Sequence, residues 1–268
     1  MALLFEPKEL QHSYLMIKNE ELFHGKWPVE KIVLSEVDYE QVFDALRECD
    51  HQANPTLKMV VDYSSMSGHW YAAILNWAIH SLGQTDIEID FLYSVGEHKT
   101  NVPPFEISAI LPIPGCEGGV GLYRSVSVFG LGFDGLATLC VLDRLEPDDV
   151  YCYLASPAAY EDYPGKARGE NEELITQYAK ATVGLPLSSV EQTTRLLAEL
   201  IAPHRNRADI TFVPMGPKPH VLAAILLALR FEETSCLHVG GLPPAPEEVS
   251  PTGQVVATRV SLKRSAAA

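Results

Sequence analysis

The feature that most constrains this chain is residues 209–231, DITFVPMGPKPHVLAAILLALRF. Ile210 to Val213 is a short β-branched and aromatic run, the pattern of a buried parallel strand. Met215-Gly216-Pro217-Lys218-Pro219 follows as a turn, and then comes an apolar segment long enough for a helix of about three turns. Gly216 lets the backbone approach a ligand closely, and a proline in the first helical turn gives up an amide that would lack a partner anyway. The other amides of that turn, with Lys218 beside them, form a candidate anion cradle.

The same design occurs earlier, in residues 59–78, MVVDYSSMSGHWYAAILNWA. Adding 151 to each number superposes the two stretches without a gap, so that His69-x-x-Ala72-Ala73-Ile74-Leu75 falls on His220-x-x-Ala223-Ala224-Ile225-Leu226. Upstream, Glu40-Gln41 falls on Glu191-Gln192, Leu46 on Leu197 and Glu48 on Glu199. Nine identities result over the 36 positions from 40 to 75, where unrelated sequence gives about two at average residue usage. A common need for apolar helix residues accounts for Ala-Ala-Ile-Leu, but not for the Glu-Gln pair or the histidine. The repeat predicts a diverged duplication, with helix, strand, loop and helix in each half.

Between and around these stretches, strand-like and helix-like segments alternate, which predicts an α/β chain of two Rossmann-like halves with mostly parallel sheets and helices on both faces. The glycine-rich PIPGCEGGVG, residues 112–121, is the best boundary, dividing an N-terminal half, 1–118, from a C-terminal half, 119–268. The second half opens with a β-type run, Ser125 to Leu131, followed by Gly130-x-Gly132-Phe133-Asp134-Gly135 and a helix to Leu145. The glycines come near the dinucleotide fingerprint without matching its spacing, so close helix packing accounts for them as well as phosphate contact does. Further on, the pattern predicts a strand at 149–156, a loop at 156–168, a helix over 171–181, a strand over 182–187, a helix capped by Ser188 or Ser189, a strand at 235–239 and an edge strand at 253–262.

Composition sets the limits. A net charge of −15 argues against sequence-independent binding of a nucleic-acid polymer, which needs a basic surface, but leaves room for a small anion in a locally positive pocket. The five cysteines (Cys49, Cys116, Cys140, Cys152, Cys236) are odd in number, scattered and without a C-x-x-C, so they read as buried thiols rather than a zinc site or disulfide set. With no apolar run of spanning length and no signal-peptide pattern at the start, the expectation is a cytoplasmic protein without a membrane segment, metal or resident cofactor.

In parallel sheets ligands sit beyond the carboxyl ends of the strands, which singles out the loops 63–68, 130–135, 156–160 and 215–219. In the first, Asp62-x-Ser64-Ser65-x-Ser67 offers three hydroxyls for the phosphates or ribose of a ligand, or one helix cap and two solvated serines. Gly130, Gly132, Asp134, Gly216 and Lys218 complete the candidate contacts. His69 and His220, each in a first helical turn, either meet a phosphate or merely pack.

Strand, D-x-S-x-x-S, helix in one place and strand, G-x-K-P, helix in the other resemble the motifs of the CARF sensor domains of CRISPR-linked effectors. Two such halves in one chain are similar to the SAVED sensors of cyclic-nucleotide defence systems. The departures are at Gly68 or His69, where the family carries a basic residue, and at Pro217, where it carries a threonine; Lys218 matches a family ligand contact. The resemblance implies a nucleotide-type ligand, up to a cyclic oligonucleotide, held across a pseudo-twofold axis, and a separate effector protein as partner in antiviral defence. Two other functions fit the same residues. One is an enzyme on a phosphorylated or nucleotide substrate, with a histidine as base and Lys218 stabilising phosphoryl charge. The other is an adaptor subunit whose pocket is vestigial.

Overall fold

A computed structural model describes residues 2–8, 26, 28–35, 37–48, 56–81, 86–98, 106–119, 121, 124–241 and 249–263. In chain order the strands are β1 (Ala2–Pro7), β2 (Val29–Leu34), β3 (Thr56–Asp62), β4 (Asp86–Glu97), β5 (Ile107–Pro112), β6 (Ser125–Gly130), β7 (Asp149–Ala155), β8 (Ala179–Leu185), β9 (Asp209–Pro214), β10 (Thr234–Gly241) and β11 (Ser250–Leu262). The helices are α1 (Glu40–Glu48), α2 (Gly68–Ser81), α3 (Gly135–Leu145), α4 (Tyr163–Glu170), α5 (Val190–Ile201) and α6 (Lys218–Ala228), with one π-helical turn at Leu174–Tyr178.

The fold is α/β with mostly parallel sheets. The largest has the order β5-β10-β9-β6-β7-β8, parallel except for β5 at one edge. Read from β8 inward and outward again, its parallel strands follow the doubly wound Rossmann-like order, with the topological switch between β6 and β9. A second sheet has the order β11-β4-β3, with β3 and β4 parallel and β11 antiparallel; β1 and β2 form a parallel pair.

Both faces of the large sheet are covered, as the apolar runs in its strands require. Val126, Val128, Tyr153, Ile210 and Phe212 point into a core that also holds α5 and α6, while Phe129, Cys152, Leu154 and Val213 point the other way, against Val141 and Leu142 of α3. The first core runs on without a break into the other sheet, taking in Ile87, Ile89 and Phe91 of β4 and most of α2. The helices that join the two sheets are α2 and α6, which touch each other. Each is apolar around nearly its whole circumference, from Trp70 to Leu75 and from Leu222 to Ile225, because each has a sheet on one side and a helix on the other.

The elements at the paired positions are of one kind. Adding 151 carries β2, α1, β3 and α2 onto β8, α5, β9 and α6 to within a few residues at their ends. Past the helices the spacing changes: Met59 lies opposite Ile89, whereas its counterpart Ile210 lies opposite Thr234, so the offset becomes 145. The antiparallel strands then trade places. β5 follows β4 in the chain but pairs with β10, while β11 follows β10 but pairs with β4. The exchange keeps register: His238 opposes Leu111, and their counterparts at offset 145, Tyr93 and Val256, oppose each other. The register breaks in the two ladders also correspond, after Gly240 in one and between Ser94 and Gly96 in the other.

Two segments differ from the sequence reading. The loop expected over 156–168 becomes α4 from Tyr163 onward, and the helix expected over 171–181 is reduced to the π-helical turn and is already strand at Ala179. Tertiary pairing overrides helix propensity here: Asn171 is drawn inward to donate to the Gly132 and Ala167 carbonyls, and Lys180 is drawn to the buried Asp149. Cys140 is exposed, while Cys116, Cys152 and Cys236 are buried, and burial pushes the Cys116 and Cys152 thiols up to about 12; Cys49 lies outside the described residues.

The exchange is directly testable. Leu92→Cys with Ala257→Cys, directly opposed across β4 and β11, should form a disulfide on mild oxidation, since opposed residues lie within bridging range. Leu92→Cys with Pro112→Cys, the counterpart of Ala257 at offset 145, should not. Bridging by the second pair alone would mean that β4 takes its own chain neighbour instead.

Candidate functional site

A cavity of about 740 Å³ lies at the carboxyl ends of β3, β6, β7 and β9, where the switch point predicts a crevice. The loops after β3 and β9, one from each of the two larger sheets, meet there: Lys218 Nζ, in the first turn of α6, donates to the Met66 carbonyl. Ser64, Ser65, Ser67, Gly132, Asp134, Gly216 and Lys218 all line the cavity. Gly130 lies just beneath, at the end of β6. His69 and His220 are both below the lining, 2% and 1% exposed, with the His69 ring against His238 at 4.6 Å and the His220 ring against Tyr153 at 5.6 Å.

The glycines at the switch point are packing residues. A Cβ on Gly132 would come within 2.4 Å of the Met215 carbonyl oxygen, one on Gly130 within 2.6 Å of the Tyr153 ring, and one on Gly216 within 3.0 Å of the Leu131 carbonyl oxygen. The loops after β6 and β9 thus touch backbone to backbone, joined by the Met215 amide donating to the Gly130 carbonyl at 2.8 Å. Asp134 caps α3, accepting from the Ala137 amide at 2.9 Å. A carboxylate already holds the position that an anion would take, an arrangement that typically contributes about 1 kcal/mol to the helix.

The hydroxyls of the first loop are partly used within it. Ser64 Oγ donates to Asp62 and accepts from the Ser94 amide at 2.8 Å. Ser67 Oγ accepts from the His69 amide at 3.3 Å. Ser65 is exposed and bonds to none of the described residues. At the start of α6, two prolines carry no amide hydrogen, and the His220 and Val221 amides both turn to the Pro217 carbonyl. The anion-binding capacity of this end therefore rests chiefly on the Lys218 side chain, the one Lys or Arg among the described lining residues.

Aromatic residues make up much of the remaining wall. Tyr71 of α2 and Tyr93 of β4 both pack against Tyr63, edge to face at 5.4 Å and tilted at 5.8 Å. Phe133, in the loop after β6, and Tyr163 of α4 lie 5.2 Å apart and edge to face. Tyr163 also ties α4 to the end of β4, because its hydroxyl accepts from the His98 amide at 3.1 Å and donates to the His98 carbonyl at 2.9 Å. Sequence reasoning did not single out these aromatics, nor His98, His238 and Asn171. Only Phe133, inside the glycine loop, carried a local signal.

No protein-family model matches the chain, and no curated protein sequence matches it. Fold and site define the class by themselves: an α/β, Rossmann-like protein with a ligand-sized crevice at its switch point. No helix among the described residues is long and apolar enough to cross a membrane.

His220 gives a pH test of this geometry. Burial pulls its pKa from 6.5 down to about 4, although its contacts with the Pro186 and Leu185 backbone favour the protonated form. Between those values the unfolded chain holds the proton that the folded one has lost, so stability is intact above 6.5 and falls as pH drops toward 4. Thermal midpoints should decline across that window, and His220→Gln should flatten part of the decline. An unchanged slope in the variant would mean that this imidazole is protonated in the fold.

Proposed function

We propose that the protein is a sensor that binds a nucleotide-type anionic ligand between two units of common descent and acts through a separate partner. The observation that carries this reading is the convergence of Lys218 with Tyr71, Tyr93, Phe133 and Tyr163 around one 740 Å³ cavity at the switch point. Its volume is within the range of about 300–1,000 Å³ usual for small-molecule sites, and its make-up, mostly apolar with a few polar groups, is that of such sites. Aromatic faces suit a base, and a lysine suits a phosphate.

Common descent is supported by the constant offset of the helices and strands and by the in-register exchange of β5 and β11. Reciprocal exchange of an identical element is how swapped dimers form, and fusion of two swapped copies would leave this connectivity. Binding without turnover is supported by the burial of His69 and His220, which withdraws from the cavity the two histidines that the sequence offered as bases. The resemblance of the loop motifs to CARF and SAVED sensors supports the nucleotide as ligand, a separate effector as partner and a place in prokaryotic defence.

A thermal-shift screen against nucleotides tests the proposal. At least one should raise the midpoint and be recovered chemically unchanged, and Lys218→Ala should abolish the shift. Turnover of the ligand would favour an enzyme instead, and absence of any shift would remove the sensor reading.

A further inference from the structure

The two sides of the crevice have corresponding positions and different chemistry. Ser67 and Lys218 correspond at the offset of 151, and Tyr93 and His238 at 145; all four line the cavity. Lys218 on one side thus faces a serine on the other. At the end of β3 stands Asp62, its carboxylate accepting from the amide and hydroxyl of Ser64; its counterpart at the end of β9 is the apolar Val213. One side therefore presents a cation, while the other presents hydroxyls, that of Ser64 already tied to a carboxylate.

We infer that the crevice takes a nucleotide with a single phosphate group, bound in one orientation with one copy per chain. This rests on the nucleotide reading above and narrows it. Volume does not decide the matter, since one or two nucleotides fall within the usual range of pocket sizes. Charge does. A ligand with two phosphates related by twofold symmetry would place one against Lys218 and the other toward Ser67, where no lysine or arginine among the described lining residues balances it and the Asp62 carboxylate behind Ser64 repels it. A ligand with one phosphate leaves this side to its sugar hydroxyls or base, which the Ser65 hydroxyl, on the cavity wall, can meet as a hydrogen-bond partner. The phosphate is a 5′-monoester or a 3′,5′-cyclic diester; both carry the single phosphate group that the site matches.

Calorimetric titration of the full chain tests this, with the four ribonucleoside 5′-monophosphates, their 3′,5′-cyclic forms, the parent nucleosides, and cyclic di-AMP and cyclic di-GMP as probes. A mononucleotide should bind one to one, at least about tenfold more tightly than the cyclic dinucleotide of the same base, as loss of one charge-assisted hydrogen bond implies. Which of the two forms binds identifies the ester. Lys218→Gln should weaken the mononucleotide by about 10- to 100-fold, toward its nucleoside. Ser67→Lys, which installs the missing cation at the corresponding position, should improve cyclic dinucleotide binding relative to the unmodified protein. A cyclic dinucleotide that binds as tightly as any mononucleotide overturns the single-phosphate inference and leaves nucleotide binding standing. Equal mononucleotide affinity in a Lys218→Gln protein that melts like the parent also overturns it. Silence of the entire panel removes the nucleotide reading itself.

Discussion

The structure depends on the contact between α2 and α6. Each helix carries apolar residues around nearly its whole surface, so neither is stable with one face in water. Each buries one side on its own sheet and the other on its counterpart, which makes a single core from two sheets that share no ladder through these helices. Burial of a large aliphatic or aromatic side chain contributes about 1.5–3 kcal/mol; Leu75, Leu222 and Ile225, all at most 1% exposed, lie in the one core that joins the two helices and give it an ample driving force. The exchanged strands β5 and β11 reinforce it, because each completes a sheet across the boundary.

The position of the crevice follows from that contact. Helices that follow parallel strands begin at the carboxyl ends of those strands, so pressing α2 against α6 brings their preceding loops together. Lys218 reaching the Met66 carbonyl is the local sign of this. Close approach of the loops after β6 and β9 then requires Gly132 and Gly216, whose missing side chains are occupied by the opposite backbone. The glycines near the dinucleotide fingerprint therefore serve loop packing, and the cavity wall is left to side chains around the rim.

The alternation of elements and the 151-residue offset were legible in the sequence because both are local: a β-branched run, a glycine turn and an apolar helix each have a signature. Lys218 and the Ser64–Ser67 loop were legible for the same reason, since they occupy strand-to-helix turns. The exchange of β5 and β11 was not, because pairing partners more than a hundred residues apart leave no mark on either strand. For that reason too Tyr93 and His98, at the end of β4, and Tyr163, in a helix read as loop, gave no signal of sharing a wall with Phe133. His69 and His220 were noticed as a repeated pair, but the sequence does not say which way a first-turn histidine faces; here both face inward.

One ligand bound in the crevice as proposed touches the loops of both larger sheets at once. Amide hydrogen exchange, with and without saturating mononucleotide, measures this most directly. The account predicts that 64–68 and 131–134 gain protection together with 215–218, at the same ligand concentration. Protection confined to the loops of one sheet, with the other exchanging as in the free protein, would contradict it.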